Sequence, residues 1–506
     1  MKRNVIEYLL NSAQQYPNKV AYADEKREVT FSELLVQVKN VAGLIQVQLN
    51  GQYNQPVAIY MNKSVECIIA ALGIAYSGNF YCPIDLNSPQ DRVLRILSVF
   101  EPKAILYKDD AQFLEGEWIN IDISINSNLG EPKAGYKKLC DIDPLYVLFT
   151  SGSTGSPKGV VISHRGVIDY TEWLHNKFEF NCETIFGNQA PFYFDNSILD
   201  IYSTLKNGCT MYIIPEGYFL FPSKLFPYLR EKKINTIFWV PSALIGFVNA
   251  NAFEKESVDC LQKILFCGEV MPNSCLNKLR GRYPDCLYAN LYGPTEITDV
   301  CTYYVVNREF RDDESLPIGF PCENTQILVL NEKDELVKDC EIGELCVKGC
   351  CLSMGYYKDF EKSNSAFVQN PLNDRYAERI YRTGDLVKYN EYGELIYEGR
   401  KDFQIKHQGH RIELGEIETA THFINSMKQA CALYDESNKK IVLYCVLGDE
   451  SITEKDIYKE LKVKVPGYML PSLIVIRDGL PMNVNGKIDR VALKGEISSG
   501  RVYSRD

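Results

Sequence analysis

The run Leu148-Phe149-Thr150-Ser151-Gly152-Ser153-Thr154-Gly155-Ser156-Pro157-Lys158-Gly159-Val160 joins three glycines and five hydroxyl residues to one lysine, directly after an apolar strand at 145–149. Glycine-rich backbone exposes N–H groups, hydroxyls add donors, and Lys158 adds positive charge, a combination suited to the polyphosphate of ATP. It departs from the P-loop pattern, because no lysine and hydroxyl pair follows the second glycine at that spacing. A Ser/Gly run of this kind also serves as a flexible surface linker. Further along, Tyr292-Gly293-Pro294-Thr295-Glu296 offers an aromatic face, a hydroxyl and a carboxylate able to hold Mg²⁺. Tyr381-Arg382-Thr383-Gly384-Asp385 puts an acid in a turn, where it can accept from both hydroxyls of a ribose. Gly399-Arg400-Lys401-Asp402, Gly409-His410-Arg411-Ile412-Glu413 and Asn485-Gly486-Lys487-Ile488-Asp489-Arg490 complete the series. Taken singly, each is equally an ordinary turn.

Composition bounds the molecule that holds these runs. At 506 residues the chain exceeds one core of ~100–200 residues, so at least two domains are expected. Apolar residues make up 45% and charged residues 24%, which excludes disorder, collagen and coiled coil and leaves a soluble folded protein. The 55 basic and 66 acidic residues give a net charge of −11. That balance opposes binding to nucleic acid or an anionic membrane, so only a local basic site can hold phosphate. No apolar run reaches the ~20 residues of a membrane helix, and Met1-Lys2-Arg3-Asn4 lacks the apolar stretch of a signal peptide. The expected address is the cytoplasm, without membrane insertion. The 17 cysteines are odd in number, scattered and free of any CxxC pair, which favours thiols over disulfides. Cys346, Cys350 and Cys351 lack a second ligand pair at zinc-finger spacing.

The elements that must position these runs alternate. A strand at 57–61, an apolar-faced helix at 65–75, a strand at 80–83, a helix at 91–100 and a strand at 103–107 imply parallel strands joined by crossover helices. The same alternation returns with a helix around 202–205, a strand at 210–214, an amphipathic stretch at 222–233 and a strand at 235–240. Near residue 400 short alternating strands precede a helix starting near Glu413. The charged segment Gly399-Arg400-Lys401-Asp402 is therefore the expected boundary between a large N-terminal part and about 100 C-terminal residues. No fixed-period repeat or low-complexity tract is visible, and 498–506 reads as a frayed tail.

In this order the six runs resemble the adenylate-forming superfamily, and within it the amino-acid adenylation domains of nonribosomal peptide synthesis and the D-alanine:D-alanyl carrier protein ligases. The resemblance extends from Phe31-Ser32-Glu33-Leu34 to Lys487. It implies an α/β fold: a large N-terminal AMP-binding domain of α/β subdomains with a distorted β-barrel over 1–401, and a small mobile α+β domain over 402–497. ATP and Mg²⁺ are then expected at their junction. By the same resemblance, Thr150, Ser151, Gly152, Ser153, Thr154, Gly155 and Lys158 hold the β- and γ-phosphates. Tyr292 stacks on adenine beside Gly293, Thr295 contacts phosphate and Glu296 binds Mg²⁺. Asp385 takes the ribose hydroxyls with Arg400 beside them, Asp402 is the hinge, and Gly409 lies on the carrier-facing segment. Lys487 matches the lysine that bridges the substrate carboxylate and the α-phosphate. A cation there has a clear task, since a carboxylate attacking a phosphate brings two anions together. His407 and His410, three apart, have metal-ligand spacing, but the carrier-facing segment explains them better.

The acid to be activated is read from Tyr193-Phe194-Asp195-Asn196-Ser197, which in relatives lines the acyl pocket. Asp195 matches the aspartate that pairs with the substrate's α-ammonium group. A carboxylate in an apolar pocket favours an amino acid over fatty or aryl acids; the alternative role is a helix N-cap. The remaining wall is expected to be Asn196, Leu199, Phe238, Leu265, Cys267, Leu291, Asp299 and Val300, a set that suits a small side chain. Phe266-Cys267-Gly268-Glu269 resembles the D-alanyl ligases, making D-alanine the leading substrate, with another small or polar amino acid as the alternative. Asp299 departs from that pattern, because an alanine side chain needs no second carboxylate. No Gly-Gly-x-Ser segment follows Lys487, so a phosphopantetheinylated carrier acting in trans and a monomeric enzyme are expected. The competing readings are an acid:CoA ligase and a degenerate nucleotide-binding scaffold. Lys487, Glu296 and Asp385 oppose the scaffold.

Overall fold

The computed structural model describes residues 2–108, 118–126, 131–152, 157–255, 257–448, 452–482 and 488–503. The chain falls into two compact units. The first holds Met1–Leu86, Phe100–Leu148 and Gly159–Lys401; the second holds Asn87–Val99, Phe149–Lys158 and Asp402–Asp506.

The first unit is built on three sheets. In the nine-stranded sheet, Leu287–Tyr292, Lys263–Cys267, Thr236–Trp239, Ile185–Asn188, Thr210–Ile213 and Val20–Ala23 run parallel in that spatial order, with antiparallel strands at both edges. Crossover helices make such parallel pairing possible, and both faces are consequently covered. A seven-stranded sheet repeats the plan, with Pro56–Tyr60 parallel to Phe80–Pro83 and to Ala104–Tyr107. All five residues of Pro56–Tyr60 are buried, as expected for a strand covered on both faces. The helix between its first two strands, Val65–Ser77, is buried almost all round, starts on the Ser64 side chain and ends on Gly78 at φ 87°. Serine there satisfies an orphan N–H, and glycine adopts the left-handed end without a Cβ penalty.

The third sheet is antiparallel and curls. One edge of its eleven-residue strand Arg379–Tyr389 is shared by Phe367–Gln369 and Leu395–Arg400, while the other pairs with Gly343–Gly349. Register shifts near Cys346 and Val387 bend it. In the second unit the hairpin Gln404–His407/His410–Glu413 leads into the helix Leu414–His422. That helix packs with Glu454–Lys462 and Arg490–Ser498 on the mixed sheet Met427–Asp435, Lys440–Leu447, Leu473–Arg477. At the C-terminus Val502 packs against the core that holds Leu493 and Ile497, and Tyr503 Oη donates to Asp435. All 17 cysteines are thiols, and no described helix is long and apolar enough to cross a membrane.

Candidate functional site

In the first unit the strand Leu287–Tyr292 delivers Tyr292 at its carboxyl end, where parallel α/β sheets commonly hold ligands. The chain then turns through Thr295–Ile297 and returns antiparallel as Thr302–Val305, with Tyr292 opposite Thr302. Thr298 and Asp299 take φ of 59° and 75°, a region that costs a β-branched residue strain and is tolerated where surroundings enforce it. Thr298 is locked by its hydroxyl, which donates to the Cys351 carbonyl at 2.8 Å. Gly293 is required by close approach: a Cβ there would lie 2.3 Å from the Asp299 carbonyl oxygen.

Tyr292 and Asp385 meet although 93 residues separate them; the phenol donates to Asp385 Oδ2. Asp385 Oδ1 accepts from Arg400 Nη1 at 2.6 Å, across the strand register that places the two residues opposite each other. Asp385 is 2% exposed, so the ion pair is shielded from solvent and sensitive to loss of either partner. Burial, then the Asp385 charge, drives the Tyr292 phenol well above its ordinary value, keeping it a donor. Glu296 is fully buried, and its Oε1 accepts from Tyr356 Oη at 2.9 Å. Thr295 is buried beside it.

Most residues of the expected amino-acid wall are buried in the core of the first unit. Leu199, Phe238, Leu265, Cys267, Leu291 and Val300 all belong to one buried apolar cluster. Parallel register sets Phe238 beside Leu265 and Cys267 beside Leu291. Asp195 and Asn196 form the turn before the helix Ser197–Asn207, and Ile198 N–H closes on the Asp195 carbonyl at 2.8 Å. Asn196 occupies the N-cap position without a side-chain cap. Asp299 is buried, and its Oδ2 accepts from Tyr170 Oη at 2.7 Å. Burial, then the nearby Asp195 charge, holds the Asp299 carboxyl well above the usual range. Two carboxyls therefore share this region, and the buried one favours its proton.

In the second unit Thr150 ends the strand Pro144–Thr150, and its buried hydroxyl has no hydrogen-bond partner among the described residues. Ser151 Oγ donates to the Arg411 carbonyl at 2.9 Å and accepts Glu413 N–H at 3.1 Å. Gly152 N–H reaches Glu416, which is paired with Arg92. Lys158 opens the strand Lys158–Ser163 and is 9% exposed. Ser153, Thr154, Gly155 and Lys487 lie outside the described residues. Asp402 Oδ1 accepts Gln404 N–H at 3.2 Å. Gln408 and Gly409, at φ 52° and 79°, make the two-residue turn that a twisted hairpin favours. His407 Nδ1 contacts Tyr434 Oη at 3.1 Å, and His410 stacks on Tyr468 at 3.7 Å. Burial, then His407, pushes His410 down to about 3, leaving it neutral near pH 7. Among the described residues no three of His, Cys, Asp and Glu converge to hold a metal.

Sequence reasoning missed Tyr170 and Tyr356, which orient Asp299 and Glu296 from 129 and 60 residues away. No local pattern marks either tyrosine; only the pairing of elements brings them in.

Residues 9–357 match the AMP-binding enzyme family. The chain is 31% identical over 515 residues to the D-alanine–D-alanyl carrier protein ligase of Bacillus cytotoxicus, covering 98% of this chain and all of that one. The enzyme of the same name from Bacillus licheniformis is 31% identical over 506 residues, covering 98% and 99%. Among solved structures, the Vibrio cholerae adenylation domain AlmE in complex with glycyl-adenosine-5′-phosphate superposes with a TM-score of 0.82 at 21% identity, covering 99% of this chain and 98% of that one. Similarity of this extent along nearly the whole sequence makes the chain a member of the AMP-binding enzyme family, within the adenylate-forming superfamily.

Proposed function

We propose that the protein activates a small amino acid, D-alanine first among candidates, with ATP to an aminoacyl adenylate and pyrophosphate. It then passes the aminoacyl group to the phosphopantetheine thiol of a separate carrier protein. The observation that carries the reading is the Tyr292–Asp385–Arg400 group on strands of the first unit. Its buried carboxylate, steadied by a guanidinium, is the acceptor that paired ribose hydroxyls need. The similarity to the D-alanine–D-alanyl carrier protein ligases supports the choice of amino acid and carrier. Leu265, Cys267 and Leu291, buried on neighbouring strands, suit a small apolar side chain, and Asp195 suits an α-ammonium group as its counter-charge.

Thr150 Oγ1, buried and without a hydrogen-bond partner among the described residues, suits a phosphate oxygen. Glu296, a single carboxylate, fits Mg²⁺ of the kind held mainly by substrate phosphates and water. The metal, when bound, neutralises phosphate charge. Lys487 is assigned the cation between the carboxylate and the α-phosphate. The cytoplasm, where thiols stay reduced, suits a chain whose 17 cysteines form no disulfide.

The test is pyrophosphate exchange over both enantiomers of the small amino acids, followed by loading of a phosphopantetheinylated carrier. Exchange with D-alanine and thioester formation on the carrier are expected. Exchange with acetate, fatty or aryl acids, and coenzyme A as acceptor, would instead establish an acid:CoA ligase.

A further inference from the structure

Four segments of the first unit meet in a polar knot, buried at Asn188 and Asp200 and half-buried at Lys63 and Gln189. Asn188 ends the strand Ile185–Asn188 and stands in register with Phe238 on the neighbouring strand. Its Nδ2 donates to Asp200 Oδ2 at 2.8 Å. Lys63, just ahead of the helix Val65–Ser77, donates to the Gln189 carbonyl at 2.9 Å and to the Asn188 carbonyl at 3.4 Å. Its ammonium also lies 6.0 Å from the ring centre of Phe192, on the way to Asp195. Gln189 Oε1 in turn accepts Val240 N–H at 3.2 Å, two residues past Phe238.

Asn188 and Asp200 are both 0% exposed, and keeping them polar is costly. Asp200 Oδ1 and Asn188 Oδ1 have no hydrogen-bond partner among the described residues, and neither do Ser203 Oγ and Thr204 Oγ1, one turn along the same helix face. Each such group gives up hydration without full recompense. Apolar side chains commonly fill such space at little or no loss, which points to a geometric role for the knot. Burial pushes Asp200 up to about 7 and Lys63 down to about 8, with Asn188 and Lys63 opposing the first shift and Glu216 and Asp200 the second.

The helix Ser197–Asn207 starts two residues after Asp195, and its first turn is closed by the Asp195 carbonyl. Anchoring Asp200 therefore fixes where Asp195 stands, and anchoring Asn188 and Gln189 fixes the strand end beside Phe238. We propose that Lys63, Asn188 and Asp200 are positioning residues that set Asp195 and Phe238 for the substrate's ammonium group and side chain. This deepens the amino-acid-activating reading above and rests on it.

The experiment is pyrophosphate exchange by the full chain, with amino acid and ATP titrated separately for wild type, Asp200→Ala, Asp200→Asn and Lys63→Met. Asp200→Ala should raise the KM for amino acid at least about tenfold, because small misplacements of a binding group are expensive, and leave the KM for ATP within about twofold. Asp200→Asn keeps an acceptor for Asn188 Nδ2 and should recover most of the loss. Lys63→Met should show the same split, and it decides the matter if Asp200→Ala does not fold. Both KM values rising together, neither changing, or Asp200→Asn matching Asp200→Ala overturns the proposal. A wild-type chain that exchanges with no amino acid would instead defeat the functional reading on which it rests.

Discussion

Asp385, proposed above as the acceptor for the ribose hydroxyls, is oriented by its neighbours. Both its oxygens already have donors, Arg400 and Tyr292, so a ribose bound as proposed would meet a carboxylate already oriented, with little ordering cost. Asp385→Asn keeps the shape but removes the charge. The KM for ATP should rise about 10- to 100-fold, the worth of a charged hydrogen bond, with the KM for amino acid nearly constant. Exchange kinetics measure both, and an equal rise in the two would mean general collapse. Gly293 acts through space instead. Gly293→Ala forces a Cβ to 2.3 Å from the Asp299 carbonyl and 2.6 Å from Ile297, and overpacking of this sort costs about 1–3 kcal/mol. Thermal melts should fall, and exchange should drop with them because the displaced segment carries Glu296 and Asp299. Asp385 was legible in the sequence as the acid of the Thr-Gly-Asp run, but the turn expected there is the middle of the strand Arg379–Tyr389, whose pairing sets Asp385 opposite Arg400. The partner of Asp299 was not legible, because Tyr170 reaches it from the distant helix His164–Phe178.

Elements show the same division. Strands read from apolar runs match closely: the one expected at 80–83 is Phe80–Pro83, and the one expected at 235–240 is Thr236–Trp239. Periodicity suffices for these, since a strand covered on both faces must be continuously apolar. The polar interior of the helix Ser197–Asn207 was illegible. Asp200, Ser203 and Thr204 resemble a solvated face in sequence yet are fully buried, because the parallel sheet and its neighbours close over them. This burial has a measurable consequence. Asp200 moves from 3.8 to about 7, so from about pH 4 to 7 the folded chain retains a proton that the unfolded chain releases. The contribution is complete below pH 4 and is lost as pH rises through 7, at no more than about 1.4 kcal/mol per pH unit. Urea unfolding of wild type and Asp200→Asn at about pH 5 and 7.5 should show wild type losing stability relative to the variant. A constant difference would mean that Asp200 is charged throughout.

For the whole molecule, the change of unit at Lys401 and Asp402 carries the strongest consequence. Lys401 is fastened to the first unit twice, by its N–H on the Gly384 carbonyl at 2.9 Å and by Nζ on Glu344 at 3.1 Å. The next residue opens the second unit with a turn in which its own carboxylate accepts Gln404 N–H. A pinned residue followed at once by a side-chain-stabilised turn suits the hinge proposed at Asp402, since hinges are commonly a few such positions that absorb a large backbone change. Two chemistries in one enzyme, adenylate formation and transfer to a thiol, need different groups around the same acyl carbon. If rotation at Asp402 exchanges them, a residue that fixes φ near −65° and biases Lys401 toward extended backbone should permit only one. Asp402→Pro is therefore expected to keep amino-acid-dependent pyrophosphate exchange within about threefold of wild type while carrier loading falls about 100-fold or more. Measured on the same preparation, equal loss of both activities would indicate simple damage to the turn, and full retention of both would remove Asp402 as the pivot.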